Sequence, residues 1–183
     1  MKSRIKILSG IISLSLIFIA GMEANAQGIT KAVELKKKGR VRADYFVEED
    51  LTRVYAFNLA IRNDERQSLK MNVCLEVPGR IVTAPEMVRI FFDSDSTKRR
   101  LSDGRLLTIN SGGRKIELTA TGDVWRRERE GYVFESVDFL IPYAAFREVI
   151  KERTIKMTLD GEEFELPVWV MGELKNVVGM VGS

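Results

Sequence analysis

Between residues 55 and 141, apolar side chains fall repeatedly on every second position, with short polar breaks between the runs. Tyr55, Phe57, Leu59 and Ile61 alternate with Val54, Ala56, Asn58 and Ala60. Met71, Val73, Leu75 and Val77 alternate with Asn72, Cys74 and Glu76. A segment with this period can bury one side only as a pleated strand, because successive side chains point to opposite faces. The polar stretch 63–66 between these two runs predicts a turn, and Pro78-Gly79 ends the second run. They read as an antiparallel pair with one buried face in common.

The same pattern continues downstream. Val88-Arg89-Ile90-Phe91-Phe92 is a strand that leads into a polar loop over 93–103. Leu106, Leu107 and Ile109 begin another, stopped at Ser111-Gly112-Gly113. Ile116, Leu118 and Ala120 alternate toward Trp125, a charged turn spans 126–131, and 132–141 is a long return strand. Pro142 changes the period. It suits the first turn of a helix, and Tyr143, Phe146, Val149 and Ile150 then fall on one stripe. Ile155, Met157 and Leu159 return to period two, Asp160-Gly161 predicts a two-residue hairpin turn, and Phe164 and Leu166 lie on the return strand. Pro167 opens a last helix, with Trp169, Leu174, Val177, Val178 and Val181 as its inner stripe. The expected fold is mainly β: eight or nine mostly antiparallel strands in a sandwich or curled sheet, with two short C-terminal helices. An α+β domain of ferredoxin-like type is the alternative, and the number of strands before the first helix weighs against it.

The N-terminus carries an address. Lys2, Arg4 and Lys6 precede a mostly apolar run over 7–22, and Ala24-Asn25-Ala26 then places small residues at the two positions that a signal peptidase reads. Residues 1–26 are therefore expected to be a cleavable signal peptide, with a retained membrane anchor as the alternative. Residues 27–40 follow as a polar arm or edge strand, and 41–183 form a single β-rich domain. The expected location is exported, either periplasmic or extracellular. The whole chain has 29 basic and 26 acidic residues. The leader holds three of the former and one of the latter, so the remainder is close to neutral. Nucleic-acid binders concentrate a large positive excess on one face, and net charge supports no such partner here.

The chain has no histidine and one cysteine. That excludes Ser-His-Asp and Cys-His nucleophile arrangements, and zinc sites that need imidazole or several thiolates. No intrachain disulfide can form, so the fold must rest on its apolar core. Cys74 reads as a small residue in a second packed layer, with a reactive thiol or dimerisation site as the alternative. Catalysis, if any, would fall to carboxylates, lysine, tyrosine or an oxygen-ligated metal.

Asp93, Asp95 and Asp103 are the candidate metal ligands, hard oxygen donors suited to calcium or magnesium. An EF-hand loop is excluded, because its sixth and twelfth positions would be Lys98 and Gly104. No other cofactor is expected. The basic clusters Lys36-Lys37-Lys38-Arg40-Arg42, Lys98-Arg99-Arg100 and Arg126-Arg127-Arg129 would form a patch for anionic lipid or acidic glycan if folding gathered them. Trp125, Tyr132, Tyr143 and Trp169 are either core or a sugar-stacking platform, and core is the expectation. Glu162, Glu163 and Glu165 read as solvent-facing strand positions rather than glycosidic acid–base groups.

Two resemblances follow from these residues. The stretch from Val88 through Asp93-Ser94-Asp95-Ser96-Thr97 resembles the first motif of haloacid-dehalogenase-type phosphatases. That implies Asp93 as nucleophile, Asp95 as general acid and base, and magnesium between Asp93 and the backbone carbonyl of Asp95. The motif belongs in a parallel α/β sheet with a helix after it, whereas 98–110 here reads as loop and strand. Val77-Pro78-Gly79, the run Pro85-Glu86-Met87-Val88-Arg89-Ile90-Phe91-Phe92 and the ending Gly161-Glu162-Glu163-Phe164-Glu165-Leu166 resemble exported bacterial β-rich domains of unknown function. The leading expectation is a non-enzymatic exported domain that binds or supports an envelope protein, a glycan or an anionic membrane surface. A carboxylate-based, divalent-metal-dependent hydrolase and a peripheral membrane-surface module are the alternatives.

Overall fold

The computed structural model describes residues 32–64, 67–80, 82–101 and 106–181. The first thirty-one residues, with the expected leader and its cleavage site, lie outside them, as does Asp103. Among the described residues, eleven strands and two helices form the domain. The chain first lays down a meander of five strands: β1 (Ala32–Lys38), β2 (Val41–Phe46), β3 (Leu51–Asp64), β4 (Gln67–Pro78) and β5 (Met87–Ser96). It then crosses to a second sheet for the hairpin β6 (Leu106–Ser111) and β7 (Arg114–Thr119). It returns for β8 (Trp125–Arg129) and β9 (Tyr132–Pro142), and α1 (Tyr143–Val149) follows. The hairpin β10 (Lys156–Leu159) and β11 (Glu162–Glu165) goes back to the second sheet, and α2 (Val168–Gly179) ends the fold. The larger sheet has the order β1-β2-β3-β4-β5-β9-β8 and the smaller β11-β10-β6-β7. Every ladder among them is antiparallel.

The inner face of the larger sheet carries Val41, Ala43, Val54, Ala56, Leu59, Met71, Val73, Leu75, Ile90, Phe92, Val137 and Phe139. These join Leu107, Ile109, Met157 and Leu159 of the smaller sheet and the buried sides of both helices in one continuous core. Phe92 sits at its centre, with Phe139 and Phe164 edge-on at 6.2 and 6.0 Å. Apolar burial on this scale is the main driving force for the fold. Asp160 and Gly161 both take positive φ, 49° and 87°, as a two-residue hairpin with matching twist requires.

Several sequence-based boundaries are corrected by strand pairing. The polar loop expected over 93–103 is strand as far as Ser96, because β5 is laddered on both sides: Asp93 faces Lys70 and Ser136, and Asp95 faces Ser68 and Phe134. Two neighbours outweigh polar composition. The charged turn expected over 126–131 is mostly β8, and only Glu130-Gly131 turns. The turn expected over 63–66 begins later, since Asn63 and Asp64 are still paired in β3. The run through Ile116 toward Trp125 divides into strands of different sheets, which helps raise the count to eleven. Trp169 is 42% exposed and is not core. The inner stripe of α2 is Val170, Met171, Leu174 and Val177, continued by Met180.

Candidate binding face

The outer face of the larger sheet lies opposite the core. Its side chains run in cross-strand rows. Arg42, Tyr55, Cys74, Arg89 and Leu140 form one row. Asn72, Phe91 and Asp138 form the next, followed by Lys70, Asp93, Ser136 and Trp125. The alternation in β3 and β4 fixes this partition, since the same period that sends Met71, Val73 and Leu75 inward sends Asn72 and Cys74 outward.

An aromatic bridge spans this face. Phe57 lies 4.8 Å from Tyr55 on its own strand and 5.8 Å from Phe91 on β5, centroid to centroid. The intervening strand β4 contributes only the small Cys74 and Asn72, so the rings meet above it. Both small residues are buried as a result, although they sit on the outer face. Burial pushes the Cys74 thiol up to about 12, with Glu76 adding to the rise. A thiol in that state is inert, which agrees with the packed-layer reading of Cys74.

Polar groups brace the bridge. β3 shifts register between Ala56 and Leu59, and Asn58 takes φ 56° in the bulge. The Asn58 N–H donates to Asn72 Oδ1 at 2.7 Å, and Asn72 Nδ2 donates to Asp93 Oδ2 at 2.7 Å. Burial raises the Asp93 carboxyl above its ordinary range, opposed by hydrogen bonds from Ser136 and Asn72 and by the Lys70 charge. At the near edge, the Tyr55 hydroxyl donates to Asp44, and Arg42 pairs with Asp44 at 3.0 Å and Glu34 at 3.2 Å. Desolvation, then the Asp44 hydrogen bond, holds Tyr55 protonated well above the usual phenol range.

Asp93 and Asp95 thus share the outer face of β5, two residues apart, while Asp103 falls outside the described residues. Asp93 is already engaged by Asn72 and Ser136. Asp95 Oδ1 is buried without a hydrogen-bond partner among the described residues. Those residues hold no group of three or more acidic, Cys or His side chains placed to bind a metal ion. The phosphatase-type arrangement is not formed, because Asp93 lies within an antiparallel ladder on both sides and not at the end of a parallel strand.

The second and third basic clusters meet beside β8, where acids pair with several of them, and the first lies apart. Arg99 meets Glu128 at 3.0 Å, and Arg129 meets Glu130 at 3.0 Å. Arg126 is held by Glu135, and Arg100 by Glu162, which also takes Arg62. Glu162 is therefore a structural anchor, while Glu163 and Glu165 are exposed as expected. The first cluster sits on β1 and β2 at one edge of the larger sheet, and the third on β8 at the other edge. The aromatic candidates are scattered. Tyr143 is core, Trp125 and Tyr132 lie on the outer side of β8 and β9, and Trp169 lies on α2.

Sequence reasoning missed the aromatic bridge: the period put Tyr55 and Phe57 on the buried face with Leu59 and Ile61, whereas the register shift in β3 sends Val54, Ala56 and Leu59 inward and leaves Tyr55 and Phe57 on the outer face. The bridge's only signal was that Tyr55, Phe57 and Phe91 alternate out of step with the inward apolar positions of β4 and β5. The exposed Met87 and Leu140 join them on this face. Among the described residues no helix is long and apolar enough to cross a membrane. No family model, curated protein or solved structure matches the chain.

Proposed function

We propose that the protein is an exported, non-enzymatic domain of the cell envelope that binds a protein partner through the outer face of its larger sheet. The observation that carries this reading is the make-up of that face. Phe57 and Phe91 form one apolar pair and Met87 and Leu140 another, with Arg89 and Asp138 between them and Arg42 and Lys70 on neighbouring strands. Exposed apolar side chains interleaved with charges of both signs suit a protein partner better than a single small ligand. The rings are in contact and tilted by 39° and 56° to one another, so they offer no single flat plate for a stacked sugar ring. Asp44, Asn72 and Asp93 hold the sheet's own side chains in place, a supporting role rather than a reactive one.

A photo-crosslinking residue at Leu140 tests the reading in intact cells. It should give one discrete adduct, and the same residue at Lys115, exposed on β7, should not. Equal labelling from both positions, or none from Leu140, would overturn it. Export is tested separately by the intact mass of the product recovered from the envelope, which should begin at Gln27.

A second reading is a divalent-cation site at Asp93 and Asp95, favoured by the unpartnered buried oxygen of Asp95. Calcium or magnesium should then raise the melting temperature, and Asp95→Asn should abolish the rise.

A further inference from the structure

The turn between β1 and β2 is locked onto the last helix. The Arg40 N–H donates to Glu173 Oε2 at 3.1 Å, and Asn176 Nδ2 donates to the same oxygen at 3.3 Å. Gly39 has φ 60°, and a Cβ there would lie 2.8 Å from both Glu173 oxygens. The positive φ favours glycine, and a side chain there would displace the Glu173 carboxylate. The close approach brings the Arg40 guanidinium over the Trp169 ring, 5.0 Å from the centroid. Beside that ring Val168 is 87% exposed, the most exposed large apolar side chain among the described residues.

We propose that this corner is a contact for an anionic phospholipid leaflet. Three observations fit lipid. The exposed positions of α2 are Val168, Trp169, Gly172, Lys175 and Gly179, so its outward side carries positive charge and no carboxylate. Lys37 and Lys38 are exposed on the strand that runs into the locked turn. The one acid of α2, Glu173, accepts from the Arg40 amide and from Asn176. An indole settles at headgroup depth, an exposed valine beside it enters the acyl boundary, and nearby lysines attract lipid phosphates. The clamp fixes these groups in advance, so little ordering cost remains on contact. The proposal is independent of what the outer face of the sheet binds.

The chain has two tryptophans, so Trp125→Phe leaves Trp169 as a local reporter. Vesicles of phosphatidylethanolamine and phosphatidylglycerol should shift its emission to shorter wavelength and shield it from acrylamide. Phosphatidylcholine vesicles should do neither, and high salt should reverse the effect. Lys37→Gln with Lys38→Gln should weaken the titration by about tenfold or more, and Val168→Asp should abolish it with the melting temperature unchanged. The readout stays at Trp169 even if an N-terminal segment tethers the chain. The proposal fails if Trp169 emission ignores anionic vesicles, responds equally to neutral ones, or responds unchanged in Val168→Asp. It also fails if the corner is instead taken up by a second copy, with dimers in sedimentation that Val168→Asp separates.

Discussion

Glu135 is the most consequential charged residue in the fold, and replacing it gives the sharpest test of how the chain between β5 and β6 is held. Its side chain is fully buried on the inner side of β9. One oxygen accepts from the backbone N–H groups of Arg100 at 2.7 Å and Leu101 at 3.1 Å. The other accepts from Arg126 Nε at 2.8 Å, and Arg126 also donates to the Leu101 carbonyl. The carboxylate thus fastens the segment before β6 to β8 and β9, and sets Leu101 into the core. Burying a carboxylate costs several kcal/mol, and the pair with Arg126 alone would roughly offset it. What tips the balance is the two amides, each costing about 1–3 kcal/mol if left buried without an acceptor. Arg126 keeps a quarter of its side chain in solvent, so its lost pairing is discounted. Glu135→Ala should therefore destabilise by about 3–4 kcal/mol, most of it from the amides. In urea the midpoint should fall by about 1.5–2 M, given slopes of about 2 kcal/mol per M for chains of this size. Hydrogen exchange should show Arg100 and Leu101 opening first. Arg126→Met alone should cost less, about 1–2 kcal/mol, and should leave the Leu101 amide protected. If Glu135→Ala costs no more than the exposed Glu163→Ala, or if the Arg100 and Leu101 amides stay protected without Glu135, the reasoning is wrong.

Three further outcomes follow from the same structure. The Asp93 carboxyl is held above its ordinary value of 3.8, mainly by burial. The folded state then binds its proton more tightly, and this group's contribution to stability is lost as pH rises from 3.8 through the folded value. Asp93→Asn should flatten that part of the curve without loss of stability at neutral pH, as measured by urea midpoints across the acid range. Cys74, with its thiol near 12 beneath the aromatic bridge, should resist alkylation at mildly alkaline pH in the native protein and react fully in denaturant. Phe57→Ala should accelerate its modification, and mass spectrometry reads both. Phe92→Ala should cost about 3–5 kcal/mol, as for other large buried aromatics, and calorimetry should show a correspondingly lower melting temperature.

The strands that were legible in the sequence are those with one buried side. In β4 each inward residue is apolar and each outward one small or polar, so period two alone locates both faces. The strands that were hidden are the polar end of β5 and the charged β8. Their pairing energy comes from the β9 ladder alongside them, which no local pattern records. Trp169 shows the same limit in the helices. The period of α2 is compatible with more than one inner stripe, and packing against β2 and β3 selected Val170 and Met171 and turned Trp169 outward.

The sequence by itself determined the secondary-structure class, the inward face of β4, the two C-terminal helices after Pro142 and Pro167, and the absence of histidine and disulfide chemistry. These are consequences of local period and residue type, and no partner is needed to read them. Only the tertiary structure decided that Phe57 on β3 meets Phe91 on β5 above Cys74, that Glu135 ties down the amides of Arg100 and Leu101, and that Gly39 brings Arg40 onto Trp169. Each of these joins residues more than thirty positions apart. Such contacts depend on strand order and register, which a chain acquires only when its sheets close on a common core.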